Sequence, residues 1–134
     1  MHPNYLKAHA LSAKVIGAAI EVHRHKGPGL MESIYERCLM HELQLQGVAS
    51  SNQLPVPIEY KGLVFEESLR LDVFVEGCVI VENKVVETIL PIHKAQLLSY
   101  MKLLNAPLGL LINYHEPLLK NGITRLILPG ADQP

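Results

Sequence analysis

The chain has 134 residues, a formal net charge of −1, and 49% hydrophobic against 19% charged residues. That length suffices for one domain, residues 1–134, with a real core, and the composition is that of an ordinary globular protein. A charge so near zero excludes a generally basic surface, so any nucleic-acid contact must be local. No stretch approaches the roughly 20 apolar residues of a membrane span, and no apolar run follows a basic N-terminal stretch, so neither a membrane segment nor a secretory signal is expected. Cys38 and Cys78 show no CxxC or Cys/His spacing. They read as buried thiols in a reducing compartment, with the cytoplasm as the expected location.

In chain order, Leu6 to His25 carries apolar residues at helical spacing (Leu11, Val15, Ala18, Ala19, Val22) and stops at Gly27-Pro28-Gly29. A second helix is predicted from about Leu30 to Gln46, with Gly47 just beyond its end. Pro55–Tyr60 reads as an edge strand, because its prolines cannot donate to a ladder. Lys61-Gly62 turns the chain into Leu63–Glu66, and strands Leu69–Val75 and Val79–Val86 follow around Glu76-Gly77. Ile92–Leu104 is helical, Leu108–Tyr114 is a strand buried on both faces, and Gly122–Leu128 is a last strand. The order is ααββββαββ, an α+β chain with a mixed central sheet.

Asp72, Glu82 and Lys84 stand out, because they are charged residues within two apolar strands, where an unpaired charge is costly. Glu82 and Lys84, two apart, share a strand face. Asp72 joins them only in the right register. A two-residue turn at Glu76-Gly77 sets Asp72 opposite Val81, on the wrong face. A three-residue loop, Val75-Glu76-Gly77, pairs Phe74 with Cys78 and Asp72 with Ile80, and brings all three charges to one face. Gly77 suits the left-handed position of such a loop, and a longer odd-length loop serves equally. Two carboxylates so placed suit Mg²⁺, which takes oxygen ligands and keeps several waters. The Asn83 carbonyl is a candidate third ligand. A bound ion would polarise a phosphate and acidify a water, while Lys84 orients that water and offsets developing charge. For these three residues alone, a salt bridge from Lys84 to Asp72 or Glu82 at a solvated sheet edge stands level with the metal site.

Two helical motifs shift that balance. Glu32 and Tyr35, within Gly29-Leu-Met-Glu-Ser-Ile-Tyr35, lie three apart, and Gln96 and Tyr100 lie four apart, each pair on one helix face. The ordered set also includes Glu21-Val-His23, Gly27-Pro-Gly29, Tyr60-Lys-Gly62, Arg70-Leu-Asp72, Glu82-Asn-Lys84, His93-Lys-Ala-Gln96 and Gly109-Leu-Leu-Ile-Asn113. From about Tyr5 to Leu128 the chain resembles the GxxExxY proteins, a family similar to the PD-(D/E)XK nucleases and especially to their RecB-like branch.

The resemblance implies a restriction-endonuclease-like αβββαβ core flanked by helices, with an extra N-terminal helix and the site at one sheet edge. It implies Asp72 and Glu82 as metal-binding carboxylates, Lys84 as catalytic lysine, and Glu32 as an acidic residue approaching the metal. Gln96 and Tyr100 match a helix motif that lines the site and contacts the DNA backbone, with Tyr35 beside them. The implied cofactor is Mg²⁺, with Mn²⁺ as substitute. Asn83 departs from the usual apolar residue of the E-x-K motif. Its side chain should point toward packing helices and needs hydrogen-bond partners there.

His23-Arg24-His25-Lys26 is the densest basic segment. Arg24 and Lys26 are candidate phosphate contacts of a sequence-independent kind, set against a solvated helix C-terminus whose cations complement the dipole. His93 shares the spacing of Gln96 and Tyr100 but reads more simply as structural. Gly27-Pro-Gly29 lacks the Lys-Ser/Thr of a phosphate loop, and no Gly-x-Ser-x-Gly turn is present. The leading expectation is a metal-dependent nuclease acting on nucleic acid, DNA first. The alternative is a non-catalytic nuclease-fold binding or assembly module, and an enzyme for small phosphorylated molecules comes third. The edge strand and apolar content are compatible with a homodimer.

Overall fold

The computed structural model describes residues 1–134, the side chains of Glu67 and Ser68 excepted. Helices α1 (Tyr5–Lys26) and α2 (Glu32–Leu45) precede the antiparallel strands β1 (Ser50–Tyr60), β2 (Leu63–Val75) and β3 (Val79–Lys84). Helix α3 (Pro91–Leu104) crosses to β4 (Leu108–Asn113), and a 3-10 turn at Leu119–Gly122 leads into β5 (Ile123–Ile127). Among the described residues the sheet has five strands in the order β1-β2-β3-β4-β5. β3 and β4 run parallel, as a helical crossover between them permits. The fold is α+β with the restriction-endonuclease-like αβββαβ core, extended by a helix in front and β5 behind.

Three expectations need correction. Leu63–Glu66 and Leu69–Val75 are not separate strands but one thirteen-residue strand. Its pairing with β1 is maintained across a register shift between Pro55 and Pro57, where a bulge absorbs the residues that read as a break. β3 ends at Lys84 rather than Val86, because Asn113 takes over the hydrogen bonds of Val86. β3 is also the central strand of the sheet, so the charged residues on it lie at a strand end and not on a sheet edge.

The sheet separates two cores. Ala8, Leu11, Val15, Ala18, Ala19 and Val22 of α1 and Tyr35, Leu39 and Leu43 of α2 pack on Val73, Val75, Val79, Val81, Leu110 and Ile112. On the other face Leu97, Tyr100 and Met101 of α3 cover Leu71, Ile80 and Leu111. β4 is buried along its whole length, as its near-continuous apolar sequence requires. Gly109 lets α3 lie close to the sheet, because a Cβ there would meet Met101 Sδ at 2.7 Å and Leu97 Cδ1 at 3.0 Å. This close approach brings Gln96 and Tyr100, which flank Leu97 on α3, toward β3. Gly109→Ala should push α3 outward and destabilise the fold by about 1–3 kcal/mol, as overpacked cores do. Urea unfolding of the variant beside the wild type measures the change, and the tyrosine absorbance of Tyr100 should shift with it.

Candidate metal and phosphodiester site

β2 and β3 are joined by the loop Glu76-Gly77-Cys78, with Val75 paired to Val79, Phe74 to Ile80 and Val73 to Val81. The loop has the expected length but sits one residue further along the chain. The next position in this register sets Asp72 opposite Glu82 rather than opposite Ile80. Glu76 (φ 47) and Gly77 (φ 71) are both left-handed and centre the turn on themselves. The Cys78 N–H closes it on the Val75 carbonyl at 3.0 Å, and Ala49 holds the Glu76 N–H at 3.0 Å. The parity is that of the expected register, so Asp72, Glu82 and Lys84 share a face. That face belongs to α3, since Ile80 packs in the α3 core while Val79 and Val81 pack under α1 and α2.

Past Val73 and Val81, carboxylates replace the backbone ladder. The Asp72 N–H donates to Glu82 Oε1 at 3.2 Å, and the Asn83 N–H donates to Asp72 Oδ2 at 2.9 Å. Each strand thus satisfies its neighbour's amide with a side chain. The Asn83 N–H and C=O point the same way in a strand, so the Asn83 carbonyl also faces the β2 side. The Lys84 carbonyl faces β4 and accepts the Tyr114 N–H at 2.9 Å.

Glu82 is 5% exposed. Burial first, and then the charge of Asp72, push its carboxyl up to about 8, against the lowering pull of the Asp72 N–H and of Lys84. Burial also raises Asp72, although the Asn83 N–H, Lys84 and a hydrogen bond with Glu82 pull it down. The two carboxyls therefore titrate as an interacting pair, with burial holding both above the ordinary carboxylate range. Burial raises the Tyr100 phenol, and so does the charge of Glu82; Gln96 Nε2 donates to the Tyr100 hydroxyl at 3.0 Å. Burial and then the charge of Asp72 raise Glu32, and Lys84 lowers it. Asp72 therefore lies within electrostatic reach of Glu32, Glu82, Lys84 and Tyr100.

Among the described residues Lys84 makes no ion pair within 4.0 Å, so the salt bridge to Asp72 or Glu82 does not form. Its ammonium stands half-buried on the carboxylate face.

Other expected contacts are placed differently. Glu32 occupies the first turn of α2 and is exposed. Among the described residues no three His, Cys, Asp or Glu side chains are grouped closely enough to hold a metal by themselves. Tyr35 is fully buried and cannot reach a substrate: its hydroxyl donates to the Gly27 carbonyl and accepts from the Leu30 N–H at 3.2 Å, and its ring stacks on Tyr114 at 4.3 Å. Arg24 pairs with Glu21 at 2.6 Å, and His25 reaches the same carboxylate at 2.8 Å, while Lys26 stays exposed. His93 Nδ1 accepts the Leu90 N–H at 2.9 Å and so closes the start of α3. The Asn83 side chain is fully buried on the α1–α2 face, and among the described residues its amide has no hydrogen-bond partner.

Asn113 has a role that sequence reasoning passed over. It is 1% exposed, its Oδ1 accepts from Val86 and His115 at 3.1 and 3.2 Å, and its Nδ2 donates to Val86 at 2.8 Å. These bonds fix the segment that leaves Lys84. The signal was a lone amide closing an apolar strand. Glu36 was also overlooked: it is buried and accepts from Asn52 and Gln53. Its one-turn spacing from Glu32 was the available clue.

A family model for the PD-(D/E)XK nuclease superfamily matches residues 9–126. The chain belongs to the PD-(D/E)XK nuclease superfamily, whose nucleases typically use divalent metal ions. No curated protein and no solved structure matches.

The raised carboxyls make the metal-free protein sensitive to pH. The Glu82 carboxyl titrates at about 8 in the fold against 4.5 when unperturbed. The native state therefore binds more protons across this window, and stability is full below the lower value and lost as pH rises through the upper one. With metal removed, the melting temperature should fall as pH rises from about 5 to 8, and Glu82→Gln should flatten that slope. Melts followed by circular dichroism with chelator present provide the measurement.

Proposed function

We propose that this protein is a metal-dependent nuclease that hydrolyses phosphodiester bonds of nucleic acid, DNA first. The observation that carries the reading is the half-buried Asp72 and buried Glu82 side by side where β2 and β3 part, with Lys84 making no ion pair on the same face. The donor set fits Mg²⁺, or Mn²⁺ as substitute: it offers oxygen atoms from two carboxylates and the Asn83 carbonyl, and such ions complete their shell with water. Two carboxyls held above their ordinary range by burial are stabilised in their charged form by a cation between them. When bound, the ion supplies Lewis-acid polarisation of the phosphate and a more acidic water.

The chain's own groups do the rest. Asp72 and Glu82 are held by each other's strand amides and so present their carboxylates without rearrangement. Lys84 orients the attacking water and meets the charge that builds on the phosphate. Tyr100, with its hydroxyl fixed by Gln96, contacts the nucleic-acid backbone, and Glu32 flanks the entrance with its carboxylate. Lys26 is the basic residue near the Gly27-Pro28-Gly29 turn available for a phosphate, since Arg24 is drawn to Glu21. The free thiols Cys38 and Cys78 suit the cytoplasm. The exposed Tyr60, Leu63 and Val64 at the β1–β2 turn are compatible with a homodimer.

A non-catalytic nuclease-fold module is the second reading. It is favoured by the bond from Asp72 N–H to Glu82, which gives that carboxyl a purely structural use. The two readings separate in a cleavage assay on single- and double-stranded DNA and RNA with Mg²⁺ or Mn²⁺. Wild type should cut in a metal-dependent manner, Asp72→Ala should abolish cutting, and Lys84→Met should slow it by roughly a hundredfold or more. Wild-type activity no greater than that of Asp72→Ala on every substrate would leave the binding module.

A further inference from the structure

Gln53 lies inside the eleven-residue strand β1 yet has a φ of 50. A left-handed residue other than glycine costs energy in a strand, and such strain persists where surrounding contacts impose it. Its position is informative. β1 and β2 pair Asn52 with Val73 and Leu54 with Leu71, which sets Gln53 directly across from Asp72. Cross-strand partners in a regular ladder share a face. An untwisted Gln53 would therefore lie alongside the Asp72 carboxylate.

The left-handed backbone sends it elsewhere. Gln53 Nε2 donates to Glu36 Oε1 at 2.8 Å, Asn52 Nδ2 donates to Glu36 Oε2 at 3.3 Å, and the Gln53 carbonyl accepts from Arg70 Nη1 at 3.2 Å. Glu36 is 8% exposed, and both its oxygens are met by neutral amides. It lies one helical turn from Glu32, on the same side of α2. A buried carboxylate therefore joins the helix that carries Glu32 to the strand position facing Asp72.

We infer that Glu36, Gln53 and Asn52 form a clamp that positions the metal centre. The clamp holds the Glu32 turn of α2 against the β1–β2 pair that carries Asp72. It also draws the Gln53 side chain away from Asp72, which leaves that flank of the carboxylate open. Glu36 and Gln53 are positioning residues and touch neither ion nor substrate. The inference rests on the reading of Asp72 and Glu82 as a metal centre.

Neutral substitutions at the clamp leave the local charge unchanged, so a change in metal affinity reports geometry. Gln53→Asn keeps a residue type that tolerates the left-handed backbone but is too short to reach Glu36. Gln53→Leu keeps the bulk and loses the donor. Calorimetric titration with Mn²⁺ alone should show the dissociation constant rising roughly tenfold or more in both, as when groups behind metal ligands are removed. Asn52→Leu, which loses the longer bond, should show a smaller rise. The metal-free melting temperature of Gln53→Asn should fall, because a buried carboxylate loses a donor, and titration well below that temperature reads affinity apart from stability. If Gln53→Leu fails to fold, Gln53→Asn decides the matter. Wild-type binding of Mn²⁺ with an unchanged constant in Gln53→Asn overturns the clamp alone. Failure of the wild type to bind Mn²⁺ overturns the metal centre and the clamp together.

Discussion

Two neighbouring strands that separate inside a protein leave amides which must find partners. Here β2 and β3 separate after Val73 and Val81, and the side chains of Asp72 and Glu82 supply those partners. The exchange keeps the strands aligned while opening a gap lined with oxygen atoms. It also sets a half-buried and a buried carboxyl side by side, and burial followed by the charge of Asp72 raises Glu82 to about 8. The affinity for a cation that we propose follows from that arrangement, because the same burial that stabilises the strand ends leaves negative charge in need of a partner.

The rest of the fold is arranged around this gap. β3 is the central strand and is supported on both faces. Gly109 lets α3 come close enough for Tyr100 to sense the charge of Glu82. Asn113 fixes the chain as it leaves Lys84. Tyr35 ties the Gly27-to-Leu30 turn that aims α2, and its stacking on Tyr114 joins that turn to the end of β4. The motif from Gly29 to Tyr35 thus divides its labour, with Glu32 in solvent near the site and Tyr35 in the core. Residues of one short motif are thus in part structural, and only their burial tells which.

Much of this was legible in the chain. The helical spacing of Leu11, Val15, Ala18, Ala19 and Val22 identified α1, and all five are buried. The near-continuous apolar run Leu108–Tyr114 marked a strand covered on both sides, which forms over Leu108–Asn113. Two-residue periodicity put Glu82 and Lys84 on one face. The longer-range features were not legible. A strand of thirteen residues looked like two, because a bulge is visible only against the partner strand. Arg24 looked available for phosphate, although its partner Glu21, one turn back on the same helix, was a local clue left unread. Nothing in the order Ser-Asn-Gln-Leu-Pro announces that Gln53 turns left-handed to reach α2.

The sequence by itself determined which elements form, which residues face inward and which charges sit in apolar strands, because these depend on periodicities of two and 3.6 residues that neighbours along the chain settle. Tertiary structure alone decided that the turn centres on Glu76 and Gly77, that Asp72 stands opposite Glu82, and that Glu36 answers to Gln53. Those outcomes depend on contacts between residues distant in the chain. An amide left without a strand partner, or a carboxylate enclosed by two helices and a sheet, acquires its meaning only when the opposing surface is in place.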